Sequence, residues 1–182
     1  SVEEIAAGAF SDNSIESVNL GGNVVDIGDS AFANNSSLTG EVVIPDSVEN
    51  IGANSFANAA IDTLVLGDSV VSIDTGAFRN NDLSGEVVIP KNVDNLYADA
   101  FTSNSIDTAV IYNPDLNFTG TVFDDDGSVT LAGIEGSTTE TYAADNGYDT
   151  ISANPRLTVD IKGTGEVLVD GSVYQDPVRF TY

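Results

Sequence analysis

The 182-residue chain contains no cysteine and no histidine. Those two zeros exclude disulfides, thiolate metal sites, zinc sites of ordinary composition, and Ser-His-Asp or Cys-His nucleophiles. They do not choose a cellular compartment. Basic residues are scarce as well, with Lys+Arg 5 against Asp+Glu 29 and a net charge of −24. Residues 1–154 carry almost all of the excess, with two basic and 25 acidic residues. So acidic a surface repels nucleic acid and anionic membrane, and neither is expected as a partner. No run is long and apolar enough to span a membrane. Walker and dinucleotide glycine loops are also lacking, and no cofactor is implied. What remains for catalysis is a pair of carboxylates of the glycosidase kind. With 29 acids some pair falls at the right separation by chance, so the chain reads as non-catalytic. The densest acidic cluster, Asp124-Asp125-Asp126-Gly127, lacks the alternating ligand spacing and closing Glu of a calcium loop. It reads as a solvated turn, and no metal site is expected.

What the chain does have is a period. "LTGEVVIPDSV" (Leu38–Val48) returns as "LSGEVVIPKNV" (Leu83–Val93), and the phenylalanines show that this echo spans two shorter units. Phe10, Phe32, Phe56, Phe78, Phe101 and Phe123 follow one another at gaps of 22, 24, 22, 23 and 22. Five residues before each stands Ile5, Ile27, Ile51, Ile73, Leu96 or Phe118, and Ala9, Ala31, Ser55, Ala77 or Ala100 directly precedes the first five. Such a period lies in the range of about 20–29 residues per coil of a leucine-rich repeat. Within each unit a short run alternates apolar residues: Val18 and Leu20, Val42 and Ile44, Leu64 and Leu66, Val87 and Ile89, Ala109 and Ile111. Period two places each pair on one face of a strand. Gly21, Pro45, Gly67, Pro90 and Tyr112 then turn the chain, and the Phe follows on a turn no longer than one loop of helix. No coil can bury its own apolar face, so the coils must stack around a shared core.

The stretches "IGDSAFANNSSL" (27–38) and "IGANSFANAAI" (51–61) resemble the BspA-like leucine-rich repeats of bacterial surface proteins. The resemblance covers residues 1–133 as about six coils and implies a right-handed, β-rich solenoid with short helical turns. Where that family carries a small polar residue or Cys, this chain has Asn13, Asn35, Asn81 and Asn104, with Ala59 as the exception. Ala6, Asp74 and Tyr97 replace the usual Gly in three coils. The asparagines are expected to form a ladder satisfying backbone groups that tight turns leave unpaired, with a ligand-binding row as the other reading.

Residues 134–154 break the register. Ser137 and Glu140 form a capping-box pattern, Ala143 and Ala144 favour helix, and Gly147 is placed to end it. Similar segments close BspA-like arrays as a strand, a helix and a strand, which would hide the open end of the core. Residues 155–182 form a third region. Leu157, Val159 and Ile161 alternate, Gly163-Thr164-Gly165 turns the chain, and Asp170-Gly171 is a hairpin signal. This resembles the start of an internalin-type B-repeat, and it predicts a small antiparallel β segment. Both ends read as cut from a longer polypeptide.

One stripe is a candidate site. Asn19, Val43, Val65, Val88 and Val110 fall between the core pairs and should point outward, beside Ser17, Glu41, Thr63, Glu86 and Thr108. The candidate contact residues are Val43, Val65, Val88, Val110, Glu41 and Glu86, for a protein or a glycan. The competing reading is that β-branched residues suit any pleated surface. The resemblance implies a bacterial, extracellular cell-surface role, adhering to a host or neighbouring-cell protein. The alternative is a passive spacer holding another domain away from the cell wall.

Overall fold

A computed structural model describes residues 2–124 and 128–153, and the backbone of 160–162, 166–169 and 172–174. The first five coils run through β1 (Glu4–Ile5), β2 (Asp26–Ile27), β3 (Thr39–Val43), β4 (Asn50–Ile51), β5 (Ala60–Val65), β6 (Ser72–Ile73), β7 (Ser84–Ile89), β8 (Asn95–Leu96) and β9 (Ser105–Ile111). Then come β10 (Asn117–Phe118), β11 (Thr130–Gly133), helix α1 (Thr138–Asn146) and β12 (Asp149–Ser152). β13 (Asp160–Lys162), β14 (Glu166–Val169) and β15 (Ser172–Tyr174) follow.

Every coil contributes a two-residue strand to one parallel sheet, in the order β1-β2-β4-β6-β8-β10. Ile5, Ile27, Ile51, Ile73 and Leu96 are its buried members, each in register with the next. The six phenylalanines stack down the interior with ring centroids between 5.0 and 5.6 Å apart. That spacing is close to the separation of about 4.7–4.9 Å between bonded strands, so each ring rides its own coil. Phe56, Phe78 and Phe123 are wholly buried, whereas Phe10, at the first coil, is 46% exposed.

The turn that carries each Phe is not a loop of helix. Two residues flanking it take positive φ between 53° and 65° in the first five coils: Gly8 and Asp12, Ser30 and Asn34, Asn54 and Asn58, Gly76 and Asn80, Asp99 and Ser103. Left-handed residues at both places break helical continuity, and Gly, Asn and Asp tolerate them best. Alternate amides then divide their work. Ala9 N and Ser11 N bond back within the turn, to Ala6 O and Gly8 O, while Gly8 N, Phe10 N and Asp12 N reach Asp29 O, Ala31 O and Ala33 O of the next coil. Gly28 shows how close the coils come: a Cβ there would lie 2.8 Å from Ile5 O.

The longer strands do not form one sheet. β3 pairs in parallel with β5, and β7, β9, β11 and β12 form a separate parallel sheet. The two spellings of the repeat cause the break. Four positions separate buried Leu83 from buried Val87, but three separate Ile61 from Leu64. Stepping from β3 to β5 absorbs the difference as a register shift at Gly40/Glu41, and β7 to β9 does so at Gly85/Glu86. The reverse step occurs from β5 to β7, and there the ladder lapses; it occurs also from the first coil, where three positions separate Ile15 from Val18, to β3, where four separate Leu38 from Val42, and no ladder forms there either. The first coil differs too: Val18 and Leu20 pack against the core half-buried, but residues 16–21 form no strand.

Residues 134–154 hold helix α1 and strand β12, whereas the strand before the helix, β11, lies ahead of that segment at Thr130–Gly133. Gly147 ends α1 at φ 79°, as its position predicts. The capping box is not made: Ser137 N donates to Ile134 O, Glu140 Oε2 accepts instead from Gly136 N at 2.9 Å, and Ser137 Oγ makes no cap bond and lies buried without a partner. The helix seals the Phe stack through two tyrosines. Tyr148 meets Phe123 edge-on at 6.5 Å, and Tyr142 stacks on Phe118 at 4.1 Å. Farther on, β13 and β14 pair antiparallel, as do β14 and β15. The expected turns at 163–165 and 170–171, and Leu157 and Val159, lie outside the described residues.

Candidate functional site

The outward face of the longer strands carries the candidate row. Val43, Val65 and Val88 are 48%, 43% and 37% exposed, and Val110 is half-buried. Their neighbours Val42, Leu64, Val87 and Ala109 are buried, so the pleat separates core from surface residue by residue. Val43 stands in register with Val65 and Val88 with Val110, and beside them Glu41 meets Thr63 and Glu86 meets Thr108. One correction applies. The row is not continuous across a single sheet, because the ladder lapses between Val65 and Val88, and Asn19 lies outside any strand. Exposed Asp62 and Asp107, which the spacing did not single out, occupy the register shifts beside Glu41 and Glu86. The face is therefore apolar along one line and anionic along the next.

Three of the four asparagines bridge coils. Asn35 Nδ2 donates to Phe10 O and Phe32 O, both at 2.8 Å, and its Oδ1 accepts from Ile15 N. Asn81 repeats this with Phe56 O, Phe78 O and Ile61 N, and Asn104 with Phe78 O, Phe101 O and Leu83 N. Asn13 departs from the expected row: it is exposed and donates only to Ser11 O. Among the described residues no earlier Phe carbonyl is there for it to bridge. Ala59 leaves a gap in the series, and Leu38 N turns instead to Asn35 O.

A second amide column escaped the sequence reading. Asn34 donates to Asp12, Asn58 to Asn34 and Asn80 to Asn58, at 2.8–2.9 Å, all exposed. Its signal was present as a polar residue two places after each Phe, where the left-handed turn selects it. Asp124 belongs to the turn chemistry as well, accepting from Ser103 N and Asn104 N at 2.7 and 3.2 Å. The remainder of that acidic cluster, residues 125–127, lies outside the described residues. Among the described residues no group of three or more His, Cys, Asp or Glu is placed to hold a metal ion. No helix among them is long and apolar enough to cross a membrane.

A family model described as a BspA type leucine rich repeat region fits residues 3–130 in six copies. No curated protein matches the chain.

Proposed function

We propose that this chain, which belongs to the BspA-type leucine-rich-repeat family, is a non-catalytic protein-interaction module of a bacterial cell-surface protein. The observation that carries this reading is the exposure of Val43, Val65 and Val88 on the outward face of strands whose inner face is buried. Apolar side chains left in water on a strand face gain by burial against a partner, roughly 25 cal/mol for each Å² covered. Glu41, Asp62, Glu86 and Asp107 beside them supply selectivity by charge. These carboxylates stand on an outward face rather than in a cleft that excludes water, which favours binding over hydrolysis.

The experiment is adhesion of protein-coated beads to epithelial cells and to other bacterial cells. The double variant Val65→Lys, Val88→Lys keeps the core intact and is expected to melt as the native protein does, yet to lose adhesion. Adhesion that survives in the folded variant leaves the row as scaffold. A spacer role then gains, and the unbroken Phe stack suits it, since coils joined by a continuous core transmit position without bending.

A further inference from the structure

Strand β3 is bonded on one side only. It pairs with β5, while residues 16–20 on its other side make no backbone hydrogen bond to it among the described residues. The cause is local. Asn19 Oδ1 accepts from Gly21 N at 3.0 Å, and Gly21 takes φ 68°, so the chain turns away before an extended run can align. A groove of about 450 Å³ opens there, with Val18, Leu20, Glu41 and Val43 among its walls. Val43 is also the most exposed valine of the row. A free parallel edge offers alternating N–H and C=O groups to any extended segment that meets it.

Charge selects the segment. Glu41 and Val43 are the outward residues of β3, Asp62 is exposed at the adjoining register shift, and Glu16 is exposed on the first coil. Between residues 2 and 153 the basic residues are Arg79 and Lys91, and both sit on turns outside the strands. Resting on the reading of the valine row as a binding face, we infer that the free edge of β3 takes up an extended cationic segment of a partner protein. In that segment a Lys or Arg faces Glu41, and an apolar residue two positions along faces Val43. Period two along a strand dictates this alternation, because only every second side chain lies on the row's face. The carboxylates attract a basic segment and repel an acidic one.

The probes are fluorescent synthetic peptides: a Lys/Val peptide repeating Lys-Ser-Val-Ser, so that Lys and Val take turns on one face of the strand, the same peptide with Glu for Lys, and the same with Ser for Val. By fluorescence anisotropy at low salt, the Lys/Val peptide is expected to bind and the Glu/Val peptide to fail. The Lys/Ser peptide is expected to bind about tenfold more weakly. N-methylation of alternate amides along one edge of the Lys/Val peptide is expected to abolish binding. Val43→Lys is expected to weaken it about tenfold, and Glu41→Gln about threefold, with melting unchanged. Equal binding of the Lys/Ser or N-methylated peptide, or indifference to Val43→Lys, would show mere charge attraction and overturn the inference. A dimer of the free protein that Val43→Lys dissolves, seen by sedimentation, would assign the edge to a second copy and overturn it as well. The test separates this inference from the function proposed above. Loss of adhesion in the Val65, Val88 variant with no effect of Val43→Lys removes strand addition alone, and retained adhesion removes the adhesive row itself.

Discussion

Asn81 ties its coil to the one before it, donating from Nδ2 to the Phe56 carbonyl at 2.9 Å. The same amide also donates to Phe78 O, and its Oδ1 accepts from Ile61 N. Asn81→Ala therefore strands two buried backbone groups, Phe56 O and Ile61 N, since Phe78 O still accepts from Asn104, and is expected to cost about 1–3 kcal/mol. The reverse change completes the series: Ala59→Asn places an amide between Phe32 O and Phe56 O and is expected to stabilise by about 0.5–1.5 kcal/mol. Urea midpoints of the two variants should move in opposite directions. Movement in the same direction would mean the bridging bonds do not set stability.

The Phe stack is expected to be the costliest place to truncate. Phe56 lies between Phe32 at 5.0 Å and Phe78 at 5.4 Å and has no exposed surface. Phe56→Ala opens a cavity in a core whose coils cannot collapse without breaking backbone ladders, and should cost about 3–5 kcal/mol. Phe10→Ala, at the half-exposed end of the stack, should cost markedly less. Comparable losses at the two positions would contradict the burial gradient.

How far the sequence carried this reading depends on which interaction decides each feature. The six-coil register was legible because Phe and the Ile or Leu five residues before it are selected by burial, and burial leaves a period. The sheet break between β5 and β7 was not legible. It arises from a one-residue difference in apolar spacing between two repeat spellings, and which of the alternating steps a ladder can absorb as a bulge is decided by the stacked backbones rather than by the spacing. Val18 and Leu20 read as a strand by alternation, but Asn19 and Gly21 form a local turn that competes with it. Ser137 matched a capping pattern by identity, yet packing against Gly133 and the helix buries its hydroxyl, as a Cβ on Gly133 would meet Ser137 Oγ at 3.1 Å. Local signals failed where tertiary packing overrode them. The exposed valines were legible by pleat parity, and the free edge of β3 was not, because an edge is a property of what lies beside a strand.

Ser55 offers a gain of stability. It occupies the place before Phe that Ala9, Ala31, Ala77 and Ala100 hold in other coils, and its Oγ is wholly buried with no hydrogen-bond partner. The backbone there is already satisfied in part by Phe32 N, which donates to Ser55 O at 2.7 Å. Ser55→Ala removes an unpaired hydroxyl at no loss of packing volume worth a cavity, and should raise stability by about 1–2 kcal/mol. A lower melting temperature for this variant would show that the hydroxyl has a partner in solution.

Alkaline pH should act on the helical cap through Tyr142. Its hydroxyl accepts from Val122 N at 2.9 Å and donates to Gly120 O at 3.2 Å. Burial raises the phenol above its ordinary value of 10.0, and hydrogen bonds from Val122 and Tyr148 oppose the rise without cancelling it. The folded state thus holds the phenolic proton to higher pH than the unfolded chain does. Stability from this group is complete below about pH 10 and is lost as pH rises through the raised value. Tyr142→Phe removes the titrating proton along with the hydrogen bonds of its hydroxyl. It should lower stability at neutral pH by about 0.5–1.5 kcal/mol and flatten the alkaline decline. The measurement is melting temperature against pH for both proteins, and parallel curves above pH 10 would show that the cap does not sense the Tyr142 proton.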